Sequence, residues 1–155
     1  MESAMKTLLV VCVAALGFLV AAEISESMSR AEEAAAKINL PELFEECNET
    51  FPIPKVTLNY FFSHGRLQNE NDYVAKCFIH CLTDRSGEID SEGDFDVDLI
   101  KVMTRRFPNE TNIEGLSEMV DKCVAGRGET DFCERAYGLV SCLVKEKLAR
   151  LGSSH

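Results

Sequence analysis

The sequence lacks the signatures of catalysis. It has no Gly-x-Ser-x-Gly elbow, no His-Glu-x-x-His helix, no glycine-rich phosphate loop and no Cys-Cys-x-x-His-Asp run of a secreted phospholipase. With these missing, the chain is read as a non-enzyme that needs no cofactor. Positive charge is scarce: 16 Lys and Arg stand against 26 Asp and Glu, a net charge of −10. Such a surface repels phosphate backbones and anionic headgroups, so nucleic acid and acidic membranes are not expected as partners. Beyond the N-terminus no apolar run approaches the roughly 20 residues of a membrane span, so no stable membrane insertion is expected. Strand alternation, repeats and low-complexity linkers are also missing, which leaves one helical domain.

What is present begins with a leader pattern. Lys6 supplies a positive start, Leu8 to Leu19 is almost uninterruptedly apolar, and Val20, Ala21 and Ala22 are small residues before Glu23. Residues 1–22 read as a signal peptide cut after Ala22, which makes the protein secreted and extracellular, with residues 23–155 as its domain. Removing the leader also removes Cys12, leaving six cysteines at positions 47, 77, 81, 123, 133 and 142. In an oxidising compartment an even set at such spacings is expected to pair as disulfides.

Helical spacing dominates and predicts about six or seven short helices in an all-α bundle. Ser29 and Glu32 form a capping box for an Ala-rich first segment, which Pro41 interrupts before Leu43, Phe44 and Cys47 resume an apolar face ending near Phe51 and Pro52. Pro54 opens a helix carrying Leu58, Phe61 and Phe62, closed by His64 and Gly65. Asn69 or Asn71 caps the next, with Tyr73, Val74, Cys77, Phe78, Cys81 and Leu82 as one buried stripe and Gly87 at its end. The acidic run from Asp84 to Asp94 reads as a solvated loop, and Asp94 or Asp96 then starts a helix with Leu99, Ile100, Met103 and Phe107 inward, stopped by Pro108. Thr111 and Glu114 suggest a second capping box, opening a helix with Ile113, Leu116, Met119, Val120, Cys123 and Val124 inward until Gly126 and Gly128. Thr130 or Asp131 caps the last and longest helix, with Phe132, Cys133, Ala136, Leu139, Val140, Leu143 and Leu151 inward.

The cysteine spacing is x29, x3, x41, x9 and x8. Cys77 and Cys81 lie about 40° apart around one helix, so they share a face and reach different neighbours. Cys133 and Cys142 are about half a turn out of phase, so different elements can clamp the last helix from two sides. Fifteen pairings remain open on spacing alone.

The x3 and x8 gaps resemble the signature of insect odorant-binding proteins of the six-cysteine type. The segments Lys76 to Leu82, Gly93 to Asp96, and Cys133 to Tyr137 running on to Leu143 are similar to that family's as well, so the likeness covers roughly Leu40 to Leu148. The Ala-rich stretch before Pro41 is longer than the usual start. The resemblance implies an interlocked pairing of Cys47 with Cys81, Cys77 with Cys133, and Cys123 with Cys142. It implies a compact bundle of about six short helices around an apolar cavity. It also implies a ligand pocket between the third to sixth helices, at positions corresponding to Phe78, Ile100, Met103, Phe107, Leu116, Met119, Val120, Val140 and Leu143. The expected partner is a small hydrophobic odorant or pheromone carried through aqueous lymph toward an olfactory receptor, by a monomer or weak homodimer. The alternative is the same scaffold outside olfaction, in saliva, haemolymph or reproductive fluid, as a general carrier or protein-interaction factor.

An apolar pocket binds by burying ligand surface, and Met103 and Met119 bring soft rotamers that suit varied shapes. A ligand of about 15 heavy atoms gaining roughly 0.5 kcal/mol each reaches micromolar dissociation. Tyr137 and Tyr60 are the nearest phenols for a polar ligand group, although a buried tyrosine is more often satisfied by the backbone. No metal is expected: His80 lies between two cysteines, but disulfide sulfurs are not thiolate ligands. The run Glu88, Asp90, Glu92, Gly93 is similar to part of a calcium loop, but Leu99 stands where a bidentate Glu is required. Asn109 is the candidate glycosylation position, while the sequon at Asn48 follows Cys47 inside a packed helix.

Overall fold

The computed structural model describes residues 2–106 and 113–152, with the backbone alone at 2–12, 14–16 and 18. Seven helices account for most of it: α1 Glu2–Ala36, α2 Leu40–Thr50, α3 Lys55–His64, α4 Tyr73–Arg85, α5 Val97–Arg106, α6 Leu116–Ala125 and α7 Phe132–Gly152. The fold is all-α; among the described residues the sole β pairing is an isolated bridge between Ile89 and Phe95. Phe107, Pro108, Asn109 and Thr111 lie outside the described residues, so the expectations at those positions have no structural counterpart.

Helix boundaries follow local chemistry. Pro41 occupies the first turn of α2, where its missing N–H costs nothing. Gly65 closes α3 in the left-handed region at φ 65, and a Cβ there would meet the Lys145 side chain at 2.5 Å. Only glycine lets α3 end so close to α7. The cap of α4 is Asp72, not Asn69 or Asn71: the Asp72 carboxylate accepts the Ala75 amide at 3.0 Å. Asn69 instead stabilises the preceding turn by accepting the Asn71 amide on its side chain. Asp96 caps α5 through the Leu99 amide, and Asp131 caps α7 through the Glu134 amide. The capping box expected before α6 involves Thr111, which lies outside the described residues, and α6 itself begins at Leu116. Glu114 sits in a turn, Ile113 precedes the helix, and Gly115 at φ 66 leads into Leu116.

Three apolar clusters hold the bundle. Ile100, Met119, Val120, Cys123, Leu139 and Leu143 join α5, α6 and α7. Phe61, Leu67, Ala75, Ile79 and Tyr137 join α3, α4 and α7. The third is the role of the Ala-rich segment: Ala31 and Ala35 pack on Leu99, Val102 and Met103 of α5, with Met28, Ile38 and Leu40 at the margin. Two methyl side chains one turn apart let the two helix backbones approach closely.

Three disulfides cross-link these clusters. Cys47 bonds Cys81, tying α2 to α4; Cys77 bonds Cys133, tying α4 to α7; and Cys123 bonds Cys142, tying α6 to α7. Thus α4 is held by two different neighbours and α7 is clamped by α4 and α6. This double engagement explains a departure from the single-stripe expectation. Helix α4 is wedged between partners and buries Ala75, Lys76, Cys77, Phe78, Ile79 and Thr83, whereas Tyr73 and Val74 are 51% and 45% exposed. Tyr73 spends its hydroxyl on Asp131 at 2.7 Å. Phe132 is likewise 43% exposed rather than inward, stacking on His80 with ring centroids 5.8 Å apart. Leu151 is also an exposed residue.

Candidate functional site

Packing between the clusters is incomplete, and the gap is a cavity of about 440 Å³. Helix α2 contributes Leu40, Leu43 and Phe44, α3 contributes Asn59 and Phe62, and α4 contributes Ile79, Leu82 and Thr83. Met103 and Thr104 come from α5, while α7 supplies Val140, Leu143, Val144, Lys147, Leu148 and Leu151. Ser86 and Glu88, on the segment between α4 and α5, complete the wall. The volume suits a small organic molecule, and the lining is predominantly apolar with a few polar groups.

Two disulfides tie the walls of this space to one another. Cys47 to Cys81 fixes α2 against α4, and Cys77 to Cys133 fixes α4 against α7. All three cross-linked helices are walls of the cavity, so the bonds limit how far these walls can shift against one another. Fixed walls also spare an entering ligand the cost of ordering them.

Met103, Val140 and Leu143 stand in the wall. Ile100, Met119 and Val120 lie in the α5, α6 and α7 cluster, and Leu116 packs against it. Phe78 is buried and tilts against Phe44 at 5.8 Å, and Phe107 is outside the described residues. The walls that sequence reasoning missed come from α2 and α3. Leu43, Phe44 and Phe62 were legible as apolar helix faces, but nothing local says that they meet across a void.

The phenols do not face the cavity freely. Tyr137 donates to Glu70 Oε2 at 2.6 Å and accepts the Leu67 amide at 3.2 Å. Burial, with the Glu70 carboxylate beside it, pushes this phenol up to about 12. Tyr60 stacks on His64 with centroids 4.0 Å apart. Polar capacity in the wall sits elsewhere, on Asn59, Thr83, Ser86, Glu88, Thr104 and Lys147. Glu88 departs most from expectation. The acidic stretch was read as solvated, yet Ile89 is buried, and burial raises the Glu88 carboxyl to about 7 against the lowering effect of the Ser86 hydroxyl. Among the described residues no cluster of His, Cys, Asp and Glu could hold a metal ion.

A family model described as the PBP/GOBP family matches residues 29–146. Among known proteins, the chain is 27% identical over 128 residues to general odorant-binding protein 84a of Drosophila melanogaster, an alignment covering 81% of this chain and 67% of that protein. It is 28% identical over 113 residues to general odorant-binding protein 99a of the same fly, covering 71% of this chain and 75% of that protein. No solved structure matches.

Proposed function

This chain belongs to the PBP/GOBP family, and from that membership we propose that it is a secreted carrier, taking a small hydrophobic molecule such as an odorant or pheromone into its interior and moving it through aqueous lymph toward an olfactory receptor. The observation that carries this reading is the cavity of about 440 Å³, walled mainly by apolar side chains from α2, α3, α4, α5 and α7 and braced by two disulfides. Burial of a small ligand's apolar surface there supports micromolar affinity, tight enough to load and weak enough to unload.

Secretion rests on the leader pattern and on the three disulfides, which need an oxidising route. The described apolar side chains early in α1, at Val13, Leu19, Val20 and Ile24, are exposed, and among the described residues the apolar cluster of α1 against α5 begins at Met28. That fits a leader removed after Ala22. Among the described residues no helix is long and apolar enough to cross a membrane.

The test is displacement of an apolar fluorescent probe from the protein recovered from a eukaryotic culture, with N-terminal sequencing of the same sample. Probe binding with micromolar dissociation, displacement by volatile apolar molecules and a new N-terminus at Glu23 are the expected results. Failure to bind any probe at tens of micromolar protein removes the carrier reading.

A further inference from the structure

Among the described residues Glu88 is the one acidic group in the cavity wall. Its backbone is fixed on both sides, the amide donating to Thr83 O at 2.9 Å and the carbonyl accepting the Asp96 amide at 3.1 Å. Among the described residues its carboxyl has a single hydrogen-bond partner, the Ser86 hydroxyl 2.7 Å from Oε2. That hydroxyl owns one proton and also lies 3.1 Å from Thr83 O. When Glu88 is ionised, the carboxylate and Thr83 O compete for this proton. When Glu88 is protonated, its own O–H donates to Ser86 Oγ, and Ser86 donates on to Thr83 O. Burial at this wall favours the neutral acid and raises the pH at which it titrates.

The surrounding charges do not relieve this. Lys147 of α7, the other charged group in the wall, donates to Thr104 O at 3.3 Å. Arg85 pairs with Glu46 at 2.8 Å. Asp90 accepts the Glu92 and Asp94 amides, and Asp96 accepts the Leu99 amide. Among the described residues Glu88 takes part in no ion pair. The ionised carboxylate thus has one protein donor and room for a second, which a molecule in the cavity can supply.

We propose that Glu88 is the polar anchor of the cavity, selecting an apolar-chain ligand whose head donates hydrogen bonds, an alcohol or an amine. This rests on the carrier reading above. A donating head supplies a second hydrogen bond and frees the Ser86 proton for Thr83 O, while the chain lies along Leu43, Met103, Val140 and Leu143. A head that only accepts, such as an ether, gains nothing from the ionised acid. Binding a donor therefore favours ionisation of Glu88, and donor affinity rises as pH rises through the range in which the acid titrates.

The experiment compares a primary amine, a primary alcohol and a methyl ether with chains of about ten carbons, each displacing an apolar fluorescent probe at about pH 5.5 and about pH 8. The whole matrix is repeated with Glu88→Gln. In the wild type the amine is expected to gain about tenfold or more between the two pH values, since the ionised fraction of an acid titrating near 7 rises about 30-fold across them. The alcohol gains less and the ether is unchanged. Glu88→Gln loses the pH dependence and the amine advantage over the ether. An amine-to-ether affinity ratio that is the same at both pH values in the wild type overturns the assignment without needing the variant, as does an unaltered amine advantage in Glu88→Gln. Loss of probe binding in the wild type instead overturns the carrier reading itself, and this assignment with it.

Discussion

Tyr137 donates a 2.6 Å hydrogen bond to the Glu70 carboxylate, 67 positions earlier in the chain. The same oxygen accepts the buried Leu67 amide, so one phenol on α7 fastens the α3 to α4 connection. Tyr137→Phe leaves the Leu67 N–H buried without its acceptor, and the expected cost is about 1–3 kcal/mol. Urea unfolding measures it, and hydrogen exchange of the Leu67 amide should accelerate in the same variant.

The bridge from Cys77 to Cys133 spans 56 positions, the longest of the three loops. Replacing both cysteines by Ser is expected to cost about 4 kcal/mol, largely by freeing the unfolded chain. The loss of the bridge from Cys123 to Cys142, which spans 19 positions, should cost about 1 kcal/mol less. Thermal unfolding of the two double variants orders them.

Ala35 is completely buried against α5. Ala35→Leu forces methylenes into a filled contact and is expected to destabilise by about 1–3 kcal/mol. Ala34→Leu, on the exposed side of the same turn, should stay within about 0.5 kcal/mol of the wild type. Met103 belongs to both the α1 contact and the cavity wall, so Ala35→Leu should also weaken probe binding while Ala34→Leu does not.

The raised Glu88 carboxyl makes stability pH-dependent in an unusual direction for an acid. Between the ordinary value of 4.5 and about 7 the folded protein holds a proton that the unfolded chain has released. The stabilising contribution is full below that window and is lost as pH rises through it. Against Glu88→Gln, the ligand-free wild type should lose on the order of 2 kcal/mol between about pH 5 and about pH 8. Urea unfolding at the two pH values measures the difference.

Much of the bundle was legible in the sequence because helix ends are local chemistry. Pro41, Gly65, Asp96 and Asp131 do what their residue types predict. The disulfides match the pairing implied by the family resemblance, while spacing alone had left fifteen pairings open. What periodicity cannot convey is a helix with two partners: α4 is buried on more than one side, so a single stripe misplaced Tyr73 and Val74. Phe132 was read inward by the same rule, although its ring finds His80 at the surface. Glu88 was obscured because an acid in a glycine-containing run reads as solvated, and only the bridge between Ile89 and Phe95 folds that run back onto the body. The cavity is a property of elements distant in sequence. Its walls come from α2, α3, α4, α5 and α7, which no local stretch of sequence shows meeting across a void.

The most direct measurement is saturation binding of an apolar fluorescent probe to the wild type and to Val140→Trp, which fills the cavity from the α7 side. The wild type should bind with micromolar dissociation, and the filled variant, with unchanged helical content by circular dichroism, should bind at least about tenfold more weakly. Absence of wild-type binding at tens of micromolar, or equal affinity in the filled variant, would contradict carriage in this cavity.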